Sequence, residues 1–173
     1  MPEVDRRGSA AWRGGMFALI AACIVALDQV TKLWVRSNLT LSQSIPIFGP
    51  LSLTNVRNTG SAFGLFVNQA FLLAIIAIAG ILTILLFYRY FSKSSMLGVS
   101  ALSLVFAGAI GNLIDRLRFR YVTDFIDVRL WGDFHWPTFN VADSAITIGS
   151  IVMVVFIFTA FGKSDAGKPK DGM

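Results

Sequence analysis

Four apolar stretches, each long enough to cross a bilayer, dictate what this chain can become. A hydrocarbon core about 30 Å thick and a helical rise of about 1.5 Å per residue set the requirement at about 20 apolar residues. Residues 14–35 form the first stretch, broken only by Asp28 and Lys32. Residues 58–88 carry no charge, and the second part of that run, 70–88, is the natural span. Residues 94–116 and 141–162 supply the third and fourth, with charges only toward one end of each. Backbone polar groups find no water in lipid, so each stretch must be a helix. Composition agrees: 55% of the residues are hydrophobic, against ~45–50% for a soluble domain. The reading is an all-α integral membrane protein, one domain over residues 1–173, with four transmembrane helices.

Four spans place both termini and the loop 89–93 on one side and the long loops 36–69 and 117–140 on the other. Lys and Arg divide eight to seven between the two sides, so the positive-inside rule barely chooses. The acids divide four to six, leaving the side with the termini more positive and hence cytoplasmic. The net charge of +5 invites nucleic acid as a partner, but the basic residues are scattered. Arg6, Arg7, Arg13, Lys163, Lys168 and Lys170 suit juxtamembrane contact with anionic lipid headgroups instead, and no nucleic acid is expected. The single cysteine, Cys23, follows Ile20-Ala21-Ala22, a sequence that superficially resembles a lipobox. The apolar run before it is too short for a signal-peptide core and continues past it, so a small buried thiol within a helix is expected.

The first long loop alternates. Leu39 and Leu41, Ile45 and Ile47, then Leu51 and Leu53 interleave with polar or small residues, and Phe48-Gly49-Pro50 marks a turn. A small β-element on the membrane surface fits. The uncharged, Gly-rich run from Asn58 to Phe66 suits an interfacial position, with Phe63, Leu65 and Phe66 toward lipid. Trp131, Phe134 and Trp136 in the second loop suit aromatic anchoring at the interface.

Every charged residue within a span gathers toward one membrane face. The first span contributes Asp28 and Lys32, spaced i,i+4 for a salt bridge that makes both charges tolerable. The third ends with Gly108, Asn112, Asp115 and Arg116 on one helical face, while Ala107 and Gly111 permit close helix contact. The fourth opens with Asn140 and Asp143, which can cap it. In the second loop Asp124, if the strand is extended, shares a face with Val122, Ile126 and Val128. Asp127 then points to the other face and pairs across the strand, with Arg129 as its expected partner.

Charges at apolar depth are costly and mark function. Asp124 and Asp143 fall on the same side, and two carboxylates in a low-dielectric site share one proton because both cannot easily ionise. The ionised partner can take a proton from water while the protonated one polarises a carbonyl. That is aspartyl-peptidase chemistry, needing neither metal, cofactor nor covalent intermediate. Other hydrolytic sites are poorly supplied: His135 is the only histidine, no HExxH occurs, and Lys32 is committed to Asp28. A proton- or ion-coupled carrier using Asp28, Asp115 and Asp143 is the alternative, but no internal repeat is visible and the charges lie at one face. A purely structural membrane protein would leave Asp124 and Asp143 unexplained.

Five motifs in order resemble the lipoprotein signal peptidase (signal peptidase II) family of bacteria. They are Asp28-Gln29-Val30-Thr31-Lys32, Asn58-Thr59-Gly60-Ser61-Ala62-Phe63, Gly108 through Arg116, Val122-Thr123-Asp124-Phe125-Ile126-Asp127, and Phe139 through Ile146. The resemblance implies a periplasmic β-cradle and a short interfacial helix after the Asn58 motif. It implies Asp124 and Asp143 as the catalytic pair, with Asn58, Gly60, Asn112, Arg116 and Asn140 lining the substrate site. Asp28, Lys32 and Asp115 are expected to support it. The implied substrate is a diacylglyceryl-modified prolipoprotein cut before its lipidated cysteine, and the implied inhibitors are of the globomycin type. A monomer in the bacterial inner membrane is expected, with both termini cytoplasmic and the site facing the periplasm. Ser61 stands where alanine is frequent in the family, and neither end of the chain carries a motif.

Overall fold

A computed structural model of the chain describes residues 3–60, 68–91 and 95–165. The elements run α1 (Glu3–Asn38), β1 (Ser44–Phe48), β2 (Leu51–Asn58), α2 (Ala70–Phe91), α3 (Met96–Phe119), β3 (Val122–Trp131), β4 (Phe134–Phe139) and α4 (Val141–Asp165). Segments Ala11–Asn38, Ala70–Arg89, Met96–Phe119 and Val141–Thr159 of these helices are long and apolar enough to cross a membrane. α1 begins before the first apolar stretch because residues 3–13 contain no proline to stop it.

α3 is the central helix, packed against α1, α2 and α4. Small residues make this possible. A methyl group on Gly108 would collide with the Ala142 carbonyl and the Ile146 side chain, and one on Gly149 would lie 2.8 Å from the Ala101 carbonyl oxygen. The outward faces of the helices are apolar, with Leu19, Leu86 and Phe158 exposed, which is the arrangement lipid requires. Cys23 belongs to that exterior: it is exposed, not buried as expected. In a span whose interior is filled by small and polar contacts, a thiol is apolar enough to face hydrocarbon.

Both long loops contribute to one antiparallel sheet in the order β1-β2-β3-β4. The turn at Phe48-Gly49-Pro50 joins β1 to β2 as its residues predict, and Gly49 takes φ +52°, open to glycine at little cost. The sheet is tied to the end of α1 by a cluster of Val35, Leu39 and Phe125, backed by Leu53, Ile126 and Val141. The buried Asn55 side chain also donates to the Leu39 carbonyl at 2.8 Å. Trp131 stacks on Phe134 with centroids 4.7 Å apart at the exposed end of the β3–β4 hairpin, and Trp136 is exposed beside them. The expected interfacial helix, with Ser61, Phe63, Leu65 and Phe66, lies outside the described residues.

Candidate active site

The site is assembled where α1, α3, β3 and the start of α4 meet. α3 ends at Arg120, whose left-handed backbone (φ 65°) and N–H bond to the Arg116 carbonyl turn the chain sharply into β3. The reversal puts the Thr123 N–H 3.0 Å from Asp115 Oδ2. Asp115 is fully buried and also receives Lys32 Nζ and Arg36 Nη1, each at 3.4 Å. Lys32, likewise fully buried, lies 2.9 Å from Asp28 Oδ2 and 2.9 Å from Asn112 Oδ1. The i,i+4 pair expected on α1 therefore forms, and it belongs to a larger array of alternating charges. A buried charge is tolerable only when paired and hydrogen-bonded. Here the described buried polar side-chain atoms all have partners.

Asp28 does a second job. Its Oδ1 accepts the Ala142 N–H at 3.0 Å, satisfying a backbone donor in the first turn of α4. Gln29 Nε2 bonds Asp28 Oδ2 at 3.0 Å and the Gly111 carbonyl at 3.1 Å, locking α1 to α3. At its own N-terminus α4 is closed reciprocally. The Asp143 N–H donates to Asn140 Oδ1 at 2.9 Å, and the Asn140 N–H reaches Asp143 Oδ2 at 3.3 Å. Asn140 and Asp143 thus form a capping pair, as their spacing predicts.

Two asparagine amides then connect the two aspartates. Asn112 Nδ2 donates to Asp143 Oδ1 at 2.7 Å, and Asn140 Nδ2 donates to Asp124 Oδ1 at 2.7 Å. The amides touch each other through Asn140 Nδ2 and Asn112 Oδ1 at 3.2 Å. On its other oxygen Asp124 accepts Asn58 Nδ2 at 2.9 Å, and Asn58 Oδ1 in turn holds the Gly60 N–H at 2.9 Å. Arg116 Nη2 points to the Gly60 carbonyl at 3.5 Å. All ten residues singled out in the sequence therefore lie in one connected array.

Burial and the negative charge of Asp143 push the Asp124 carboxyl up to about 7, against the opposing hydrogen bonds from Asn58 and Asn140. A carboxyl poised there exchanges a proton near neutral pH, as acid–base catalysis demands.

One expectation for β3 needs correction. Asp127 pairs not with Arg129 but with His135 Nδ1 at 2.6 Å, and accepts the Thr54 hydroxyl at 3.1 Å. Side chains two apart on one strand stand side by side, whereas neighbours on adjacent strands converge. Both faces of the first part of β3 are covered, since Val122, Thr123, Asp124 and Phe125 are all buried. One side of this segment meets the polar site through Asp124, the other the Val35–Leu39 cluster through Phe125.

Arg36 and Thr123 were not anticipated. Arg36 donates to Thr123 Oγ1 at 2.9 Å as well as pairing with Asp115. A signal existed, since Arg36 stands four residues beyond Lys32 on the same face of α1.

Comparison with known proteins bears on what such a site does. The family model for signal peptidase (SPase) II matches residues 20–159, which contain the whole array. The chain belongs to the signal peptidase II family. A lipoprotein signal peptidase of Desulforapulum autotrophicum is 46% identical over 147 residues, covering 81% of this chain and 88% of that protein. One from Bacillus velezensis is 40% identical over 157 residues, covering 90% and 99%. A bacterial membrane enzyme solved by the in meso method at 2.3 Å resolution superposes with a TM-score of 0.81 at 32% identity, over 92% of this chain and 95% of that one. This signal peptidase II chain is thus a bacterial multi-pass membrane protease acting in lipoprotein processing.

Proposed function

We propose that Asp124 and Asp143 are the catalytic pair with which this protease cuts diacylglyceryl-modified prolipoproteins immediately before the lipidated cysteine. The observation that carries this reading is the bridge Asp124–Asn140–Asn112–Asp143, which holds two carboxylates in a common buried network at one end of four membrane-capable helices. With one proton on the pair, the ionised carboxylate takes a proton from a water molecule as its oxygen attacks the scissile carbonyl carbon. The protonated carboxyl donates to the carbonyl oxygen, which becomes the hydroxyl of a tetrahedral intermediate. Collapse breaks the C–N bond, returns that hydroxyl proton to the pair and delivers the other to the leaving amine of the cysteine.

The asparagines orient the pair, and each carboxylate oxygen they hold retains a second lone pair that can accept from water or substrate. Asn58, Gly60 and Arg116 lie beside Asp124 where they can hold the substrate backbone. A diacylglyceryl anchor keeps the substrate in the bilayer, so the site belongs at leaflet depth on the periplasmic side, with both termini in the cytoplasm. The charge asymmetry supports that orientation. The enzyme acts as a monomer, because one chain supplies every member of the array. Globomycin-type inhibitors would compete for the same cleft.

The test is cleavage of a diacylglyceryl-modified precursor, followed by gel shift, in membranes containing the protein. Cleavage of the modified precursor, absent for the unmodified one and abolished by globomycin, is expected. Equal cleavage of both precursors would refute the assignment of lipid to the substrate.

A further inference from the structure

Where α1 and the end of α3 meet lies a groove of about 430 Å³ lined by Gln29, Val30, Leu33, Arg36, Arg118 and Phe119. Its floor is apolar and open: Val30 and Leu33 are exposed on the membrane-facing surface of α1. From Gln29 to Arg36 the groove follows α1 for seven residues, roughly 10 Å at the helical rise. Its upper end is built differently. The guanidinium of Arg36 sits 4.6 Å from the centre of the Phe119 ring and that of Arg118 5.3 Å from the same ring.

Two cations on one aromatic ring repel each other, and their charge is not equally answered by the protein. Arg36 has Asp115 at 3.4 Å, but Asp115 is shared with Lys32. Arg118 is exposed, and among the described residues no carboxylate lies within ion-pair distance of it. The groove therefore pairs a hydrocarbon-facing floor with a surplus of positive charge at the water end of the spans. Guanidinium groups bind phosphate oxygens in planar, two-point fashion, and both of these line the groove beside the Phe119 ring.

From this juxtaposition we propose that the groove binds one anionic phospholipid of the leaflet that contains the catalytic site. The phosphodiester lies between Arg36 and Arg118, and the start of an acyl chain lies over Val30 and Leu33. The lipid would touch a residue that already reaches the site, since Arg36 donates to Thr123, the neighbour of Asp124. It would serve as a bound structural lipid, distinct from the diacylglyceryl substrate.

Native mass spectrometry of the detergent-solubilised full chain tests the site. Phosphatidylglycerol, phosphatidylcholine with the same acyl chains, and glycerol phosphate are titrated separately. Saturable binding of one phosphatidylglycerol, about tenfold tighter than phosphatidylcholine and with no binding of glycerol phosphate, is expected. Arg118→Gln should weaken phosphatidylglycerol about tenfold and Arg118→Lys less, while Arg120→Gln, an equal loss of charge next to the groove, should leave it unchanged. Equal binding of the two lipids would overturn the proposal. So would equal weakening by Arg118→Gln and Arg120→Gln, which would reduce the effect to net charge. Tight binding of glycerol phosphate would show a free-anion site and refute the lipid.

Discussion

Asn140 donates its side-chain amide to Asp124 at 2.7 Å while its side-chain carbonyl accepts the backbone N–H of Asp143 at 2.9 Å. One residue at the head of α4 therefore sets the position of both carboxylates. Asn140→Ala should lower kcat on a lipidated precursor about 10–100-fold with a smaller change in KM, because orientation is lost while the substrate contacts remain. Steady-state cleavage kinetics check this, and an effect confined to KM would mean that Asn140 only holds substrate.

Lys32 is enclosed by Asp28, Asn112 and Asp115. Lys32→Met leaves two buried carboxylates without their shared cation, a loss of about 3–5 kcal/mol. Thermal unfolding in detergent should show a marked drop in stability. Unfolding at the wild-type temperature would contradict a structural role for the lysine.

Gly111 faces Asp28 so closely that an added methyl would lie 2.6 Å from its Oδ2 and 3.2 Å from the Ala142 Cβ. Gly111→Ala should destabilise the protein by about 1–3 kcal/mol and slow cleavage as α1 and α4 are pushed off α3. Gly80, which has open space around it, is the control: Gly80→Ala should be neutral or slightly stabilising. Unfolding midpoints of the two variants make the comparison.

Because burial and Asp143 raise the Asp124 carboxyl to about 7, its proton departs as pH rises through that value. The rate should fall on the alkaline side with a midpoint near 7, and a pH profile of kcat/KM flat to pH 9 would contradict it. The sign for stability follows from the same shift. Between about 4 and 7 the folded carboxyl retains a proton that the unfolded chain has released, so raising pH through that window costs stability. Asp124→Asn should remove that part of the dependence in unfolding measured across pH.

How much of this could be read in the chain divides by physical cause. The spans were legible because lipid imposes length and hydropathy locally, and α3's polar face because 3.6-residue periodicity survives any tertiary context. The convergence of Asp28, Asn112, Asn140 and Asp143 followed from topology. The partner of Asp127 did not, because it depends on which residue of β4 stands opposite a register shift, and that is decided by long-range pairing. Thr123 is similar: its value lies in a backbone N–H delivered to Asp115 by the left-handed turn at Arg120, which no side-chain pattern encodes. Cys23 faced outward because in a membrane the apolar side is the outside.

The most direct test of a shared-proton aspartate pair is single-turnover cleavage of a diacylglyceryl-modified precursor by Asp124→Asn and Asp143→Asn, each shown to be folded and inserted, with Asp127→Asn alongside. Both of the first two should lose about 10²–10⁴-fold or more in rate, and Asp127→Asn, whose partners are His135 and Thr54, should lose far less. Wild-type cleavage by either of the first two variants would contradict the account.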